Sequence, residues 1–355
     1  MSKYNSMKKK KVAIITHPLQ YNYGGVLQAY ALSTILKRYF DDVVVLRFSY
    51  FSLKDLVKIL LETISPFHKF KRKYICEKKV LSSNLENRIK KNEIDTIVVG
   101  SDQVWRSDFG LNNLTFGQFL SVGTPITIFA YAASFGNEQW KYSEEETRII
   151  KSSIRKFAGV SVREKSAVAL CRKYMEVEAK WVLDPTMLLL PDMYLKFVTQ
   201  QPNKKIFCYL LDYENSFNRK IMSEIQKQYD MPVKTTRLIK NRVLKRFAFT
   251  LSIEGWLSNI YNAEVVLTDS FHGCVFCIIF NRNFFVLENE SGGNTRIKSL
   301  LEYFNLENRI IRRGIESHFN KISAINWGIV NEKMKIMRNI SLDYILTSIT
   351  KHPLN

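Results

Sequence analysis

Cysteine, glycine and proline are all scarce in this chain of 355 residues. With 14 Gly and 8 Pro, collagen-like and low-complexity architectures are excluded. The cysteines number five, an odd count, and stand scattered at 76, 171, 208, 274 and 277. That is no disulfide framework, and it fits a reducing, cytoplasmic setting. Long hydrophobic runs are missing too. The longest, Cys274–Phe280, is broken by Asn281, Arg282 and Asn283 before Phe284–Leu287. A membrane-spanning helix needs about 18 apolar residues, so none is expected. The basic start MSKYNSMKKKKVAIIT has neither an extended apolar core nor a small-residue cleavage site, and no signal peptide is expected there. The five histidines show no HExxH spacing. Cys274 and Cys277 form a CxxC with no second pair, so we read core thiols and expect no metal. GxGxxG is absent after the first strand.

Acid is also in short supply: 33 Asp and Glu face 53 Lys and Arg, a net charge of +20. Net charge bears on partners rather than on fold. Nucleic acid, an anionic membrane surface and anionic small substrates all fit it, and an AT-rich genome raises lysine as well. The basic stretches are Lys69–Lys91, with nine cations against Glu77 and Glu86, and Lys234–Arg246, with six and no acid. Neither comes with an RNP, helix-turn-helix or zinc-finger pattern, so each reads as a solvated surface and no specific nucleic acid is expected.

What the chain does contain is ample apolar material, 46% hydrophobic and 13% aromatic, which excludes general disorder. At about 100–200 residues per domain, two domains are expected. Short apolar runs alternate with amphipathic stretches. Strands are expected at Lys11–Thr16, Val43–Phe48, Thr96–Val99, Ile126–Tyr131, Gly159–Val162, Trp181–Leu183, Lys205–Leu211, Val265–Thr268 and Phe284–Leu287. Helices are expected between them, with a long terminal one at Val330–Ile349. Such alternation predicts an α/β fold of two Rossmann-like, doubly wound domains facing a cleft, 1–190 and 191–355. Residues 52–91 read as a basic helical insertion in the first. Ligands of such sheets sit beyond the carboxyl ends of the strands.

Polar residues gather at several of those ends. Asn22, Gly24 and Gly25 precede a helix, a place for backbone to approach an anion. Ser101, Asp102 and Gln103 follow a strand, with Trp105 as an apolar wall, a mixture suited to sugars. Arg163 ends another strand and offers a fixed fork of donors to carboxylate or phosphate. Asp184 either orients a basic group or starts the turn that Pro185 continues. Ser270, His272 and Gly273 open a helix directly after a strand, placing an imidazole beside backbone N–H groups that can hold a phosphate.

Six segments occur in one order: Tyr21-Asn-Tyr-Gly-Gly-Val-Leu-Gln-Ala-Tyr-Ala-Leu32, Gly100-Ser-Asp-Gln-Val-Trp105, Tyr131-Ala-Ala-Ser-Phe-Gly136, Ser161-Val-Arg-Glu164, Val182-Leu-Asp-Pro185 and Asp269-Ser-Phe-His-Gly273. Together they resemble the polysaccharide pyruvyl transferase family over about residues 12–290. The resemblance implies a GT-B-like fold and transfer from phosphoenolpyruvate to a sugar of a cell-surface polysaccharide, forming a pyruvate ketal. It implies activity-critical roles for Arg163 and His272. This chain has Phe271 where many members carry arginine or leucine, and Glu164 where Asp is usual.

On that resemblance His272 is expected to act as acid/base and Arg163 to hold the anionic donor, with Asp102 accepting a proton from the sugar. Asn22, Gly24, Gly25, Ser101, Asp184, Ser270 and Gly273 are expected to bind substrate. The first domain is then the acceptor side and the second the donor side. No cofactor is expected beyond phosphoenolpyruvate as donor. The acceptor is a saccharide or lipid-linked oligosaccharide, reached at the inner face of an anionic membrane. Two rivals share the pattern. One is a sugar-nucleotide glycosyltransferase with Glu288 or Glu290 on the ribose. The other is a non-enzymatic basic protein binding glycan or nucleic acid through Lys69–Lys91 or Lys234–Arg246.

Overall fold

A computed structural model describes residues 9–20, 22–49, 65–81, 84–200, 204–236, 251–288, 294–314 and 324–350. Tyr21, Glu290 and parts of both basic stretches, including 237–246, lie outside the described residues. By internal contacts the chain forms two units: Met1–Thr63 with His68–Leu189 and Ile336–Asn355, and Ile64–Phe67 with Leu190–Lys335.

The first unit is built on β1 (Lys9–Ile15), whose Val12, Ala13, Ile14 and Ile15 are buried on both faces. A strand covered on both sides needs such a continuous apolar run. Its partners are β2 (Phe40–Ser49) on one side and β4 (Thr96–Val99) on the other, both parallel. With β3 (Glu77–Leu81), β5 (Thr127–Ala133), β6 (Phe157–Val162) and β7 (Ala179–Trp181), the parallel sheet has seven strands in the order β3-β2-β1-β4-β5-β6-β7. Strand order reverses between β1 and β4, which makes the loops after those two strands the crevice for a ligand.

The second unit holds β8 (Ile206–Tyr209), β9 (Val233–Thr235), β10 (Val265–Thr268), β11 (Asn283–Leu287) and β12 (Ile310–Ile311). Its order is β12-β11-β10-β8-β9, and here the reversal lies between β8 and β10. The buried faces of Ile206, Cys208, Val265 and Leu267 pack on Ile221 and Ile225 of helix Ser216–Tyr229.

Three expectations change. The insertion is not wholly helical, because its Glu77–Leu81 pairs with β2 from Val45↔Glu77 to Ser49↔Leu81. An edge strand tolerates the lysines at 78 and 79, and those charges hide its strand character. Trp181–Leu183 is not all strand. Val182 N–H makes a last rung to the Val162 carbonyl, and then Leu183 N–H turns to Ser341 Oγ at 3.0 Å. Nor does all of 191–355 group together. Helix Trp327–Thr350 has its part from Ile336 onward in the first unit, where Tyr344 Oη donates to the Ala130 carbonyl and Arg338 Nε to the Met187 carbonyl.

The cysteines carry free thiols, four of them buried. Burial pushes Cys208 up to about 12 and raises Cys274 and Cys277 as well, which makes them inert core groups. Among the described residues no helix is long and apolar enough to cross a membrane. Among the same residues no group of three or more His, Cys, Asp or Glu is placed to hold a metal.

Candidate active site

In the first unit, the crevice beyond β1 and β4 is organised by Gly100, which ends β4. Its φ is +122°, and a Cβ there would run into the Tyr131 carbonyl oxygen. Only glycine permits that approach. It sends the chain into Ser101 and then Asp102, which adopts φ +76°, a region L residues rarely occupy.

Asp102 is fixed by its side chain. Its Oδ1 accepts from Arg163 Nη2 at 2.8 Å and from the Gln103 N–H at 2.9 Å. Its Oδ2 accepts from Asn22 Nδ2 at 3.5 Å. Asn22 caps helix Tyr23–Leu36, its Oδ1 accepting from the Gly25 N–H at 3.0 Å. Gly24 and Gly25 are buried in the first turn of that helix, and a Cβ on Gly25 would crowd Asn22 Nδ2. The glycines therefore let the capping side chain fold back.

Arg163 lies deepest. Its side chain has no exposed surface, and its second arm, Nη1, donates to Asp184 Oδ2 at 2.7 Å. Burial alone would disfavour the charged guanidinium. The carboxylates of Asp102, Asp184 and Glu164 outweigh burial and raise its pKa. Asp184 plays both roles foreseen for it. Oδ2 receives Arg163 and the Ser101 hydroxyl, while Oδ1 receives the Thr186 N–H and hydroxyl and so starts a turn. The arrangement corrects the expectation for Arg163. A cation enclosed among three carboxylates is neutralised from within, and its geometry is that of a group that positions Asp102 rather than one that presents charge to an anion.

Glu164 acts on its neighbour through charge and not through the hydrogen bonds of its Oε1. Its Oε1 accepts from the Ser134 hydroxyl at 2.9 Å and the Phe135 N–H at 2.8 Å, tying down the loop after β5. Trp105 is not a wall of the site either. It is fully buried, stacks on Phe116 at 5.5 Å and donates from Nε1 to the Thr115 carbonyl. A side chain that hydrogen-bonds inward and stacks in the core has no face left for a sugar.

In the second unit, β10 ends in Thr268 and helix Phe271–Ile279 follows. Ser270 caps the helix, its hydroxyl accepting from the Gly273 N–H at 3.5 Å. A Cβ on Gly273 would overlap Thr268 Oγ1, so this glycine is required by the packing of helix on strand. Thr268 Oγ1 donates to the Tyr209 carbonyl and accepts from the Ser270 N–H. Asp269 bridges the loops after β8 and β10, accepting from the Leu211 and Asp212 N–H groups. Burial raises its pKa against those bonds. His272, 6% exposed, lies in the first turn edge-to-face with Phe271 at 5.2 Å.

Asn22, Gly24, Gly25, Ser101, Asp102, Arg163 and Asp184 thus come together on the first unit, and Ser270, His272 and Gly273 on the second. Missing from the sequence reading were Thr16, Gln28 and Glu164. A glutamine inside an apolar helix stretch was the available signal for Gln28.

Comparison with known proteins gives the chain its relatives. The family model described as polysaccharide pyruvyl transferase matches residues 22–291. Among curated proteins, no sequence relative matches. Several solved structures share the fold. A UDP-N-acetylglucosamine 2-epimerase from Rickettsia bellii superposes with a TM-score of 0.51 at 12% identity, over 95% of this chain and 97% of its own. A putative enzyme of the same kind from Listeria monocytogenes gives 0.52 at 12%, over 96% and 95%. The HepE protein of Anabaena, solved in complex with UDP and glucose, gives 0.52 at 10%, over 95% and 98%. At these identities the likeness is one of fold: α/β, with parallel Rossmann-like sheets of the GT-B type and a long C-terminal helix.

Proposed function

We propose that this chain, which belongs to the polysaccharide pyruvyl transferase family and is a transferase, moves the enolpyruvyl unit of phosphoenolpyruvate onto a saccharide as a pyruvate ketal. The reaction balances as follows. The methylene carbon of the enol takes a proton and becomes methyl. One sugar hydroxyl adds to the central carbon and loses its proton. A second hydroxyl then forms the other C–O bond, loses its proton, and expels phosphate, which carries one proton away.

Asp102 carries the acceptor half of this reading. It is the member of the buried cluster nearest solvent, with 9% of its side chain exposed against none for Arg163 and Asp184. A carboxylate held ionised by a cation and directed by Asn22 suits removal of a hydroxyl proton. Arg163 and Asp184 hold it in place. His272 is assigned the proton given to the enol carbon or to the leaving phosphate. The anionic donor is placed at the start of helix Phe271–Ile279, where the helix dipole is positive. The acceptor is a cell-surface saccharide or its lipid-linked precursor, and the +20 charge favours an anionic donor and an anionic membrane face.

Ligand-dependent melting tests this. A ligand that binds only the native state stabilises it by about 2.7 kcal/mol at a hundredfold excess over Kd. Phosphoenolpyruvate raises Tm in the wild type and less in His272→Ala, and UDP-sugars do not. A rise with UDP-sugars alone overturns the reading in favour of a glycosyltransferase.

A further inference from the structure

The backbone ladder between β1 and β4 ends with the Gly100 N–H donating to the Ile15 carbonyl at 2.8 Å. The next residue, Ser101, is held by side chains instead. Its N–H donates to Gln28 Oε1 at 3.2 Å, Gln28 Nε2 donates to Thr16 Oγ1 at 3.0 Å, and the Thr16 hydroxyl donates to the Ser101 carbonyl at 2.9 Å. These bonds close a ring around a single residue. Each polarity is determined. Gln28 Nε2 also donates to the Gly25 carbonyl at 3.0 Å, which fixes the orientation of the amide. The Thr16 hydroxyl has one proton, so it accepts from Gln28 and gives that proton to Ser101. Gln28 is wholly buried and Thr16 half-buried, and a ring whose members satisfy one another is stiff.

We infer that Thr16 and Gln28 are positioning residues for Asp102, an inference that rests on the pyruvyl-transfer reading for its catalytic consequence. The Ser101 carbonyl belongs to the peptide that carries the Asp102 nitrogen. Fixing that peptide fixes the plane from which Asp102 departs at φ +76°. Arg163 then locks the carboxylate at one end, while the ring locks the backbone at the other. The same ring ties Gly25, and hence the Asn22 cap that reaches Asp102 Oδ2, to the β4 loop. Asn22 and Asp102 are thereby both tied to one buried glutamine.

Thr16→Val is nearly isosteric and opens the ring, while Thr16→Ser keeps the hydroxyl. Amide exchange on the full chain reads the ring directly. Thr16→Val removes both ring bonds of the hydroxyl and so loosens the Gln28 amide that holds the Ser101 N–H, which is expected to exchange faster by about 10-fold. Amides of β5 are unchanged, and Thr16→Ser behaves as wild type. An unchanged Ser101 amide, or an equal rise throughout the sheet, overturns the device. The catalytic arm follows phosphate release from phosphoenolpyruvate with a panel of methyl hexopyranosides. Misplacing a reacting group costs about 100-fold in kcat. That loss is expected in Thr16→Val with KM unchanged, is restored by Thr16→Ser, and is absent when Thr16→Val is added to Asp102→Asn. Additive losses in the double variant overturn positioning. A wild type that releases no phosphate with any glycoside contradicts the pyruvyl-transfer reading instead, and the exchange result still decides the ring.

Discussion

Arg163 holds two largely buried carboxylates, Asp102 with 9% of its side chain exposed and Asp184 with none, and removing it takes the cation from both. Breaking one partner of a buried pair costs about 3–5 kcal/mol, so Arg163→Ala lowers the free energy of urea unfolding by that order. A near-neutral result would show that water reaches the cluster. His272→Ala, by contrast, is expected on the proposed reaction to lower the rate by about 10²–10⁴ and to leave unfolding far less changed than Arg163→Ala. Glu86 supplies a pH test. Burial would raise its carboxyl, but Lys90 and the Ser121 side chain and N–H outweigh that and hold it at about 2, below its ordinary 4.5. A depressed folded pKa gives stability that is fully present above 4.5 and lost as pH falls toward 2. The wild-type advantage over Glu86→Gln in urea unfolding is therefore constant at neutral pH and disappears across that window. At this scale the sequence was informative about identity and silent about partnership. Asp102, Arg163 and Asp184 stood out as polar residues at strand ends, but nothing in their spacing, 61 and 21 residues apart, says that one guanidinium joins both acids. Gln28 offered a signal as a lone amide among apolar helix residues, but nothing in the sequence names the groups it joins.

At the scale of elements, the strongest sequence signals were continuous apolar runs. β4 and β10 match their expected bounds, and both lie in the sheet interior, where covering helices demand such runs. The strands that were missed, β3, β9 and β12, are edge strands. An edge needs charge or brevity to avoid pairing with other chains, and both erase the pattern. Helix starts are where the site's glycines matter. Gly273→Ala forces a methyl group against Thr268, and overpacking of this kind costs about 1–3 kcal/mol. Thermal unfolding of that variant is expected to fall accordingly, whereas Gly123→Ala, with open space around it, costs only the strain of its φ of +76°. Equal losses at the two positions would contradict the packing assigned to Gly273.

For the whole molecule, the alternation of strand and helix fixed the α/β class, but not which unit the chain's end would join. The last helix shows no sequence feature that names its partner. Its partners in the first unit include backbone groups, the Ala130 and Met187 carbonyls and the Leu183 N–H, and the Tyr131 ring, 6.2 Å from that of Tyr344. Those contacts brace β5 itself and the segment after β7, which carries Asp184 of the Arg163–Asp184 pair. Tyr344→Phe removes that donor while the Ser161 hydroxyl still donates to the Ala130 carbonyl, and is expected to cost about 0.5–1.5 kcal/mol in unfolding free energy. The charge of +20 belongs to this scale too, as a field that attracts anions and is screened by salt.

The account's central claim is enolpyruvyl transfer, and product analysis tests it most directly. Purified wild type is incubated with phosphoenolpyruvate and a panel of saccharides with paired free hydroxyls, and released phosphate and saccharide mass are followed together. The account predicts phosphate release matched by a saccharide heavier by one ketal-linked pyruvate, with both lost in His272→Ala and Asp102→Asn. Saccharide modified only when a UDP-sugar replaces phosphoenolpyruvate, or product formation untouched by either substitution, would contradict it.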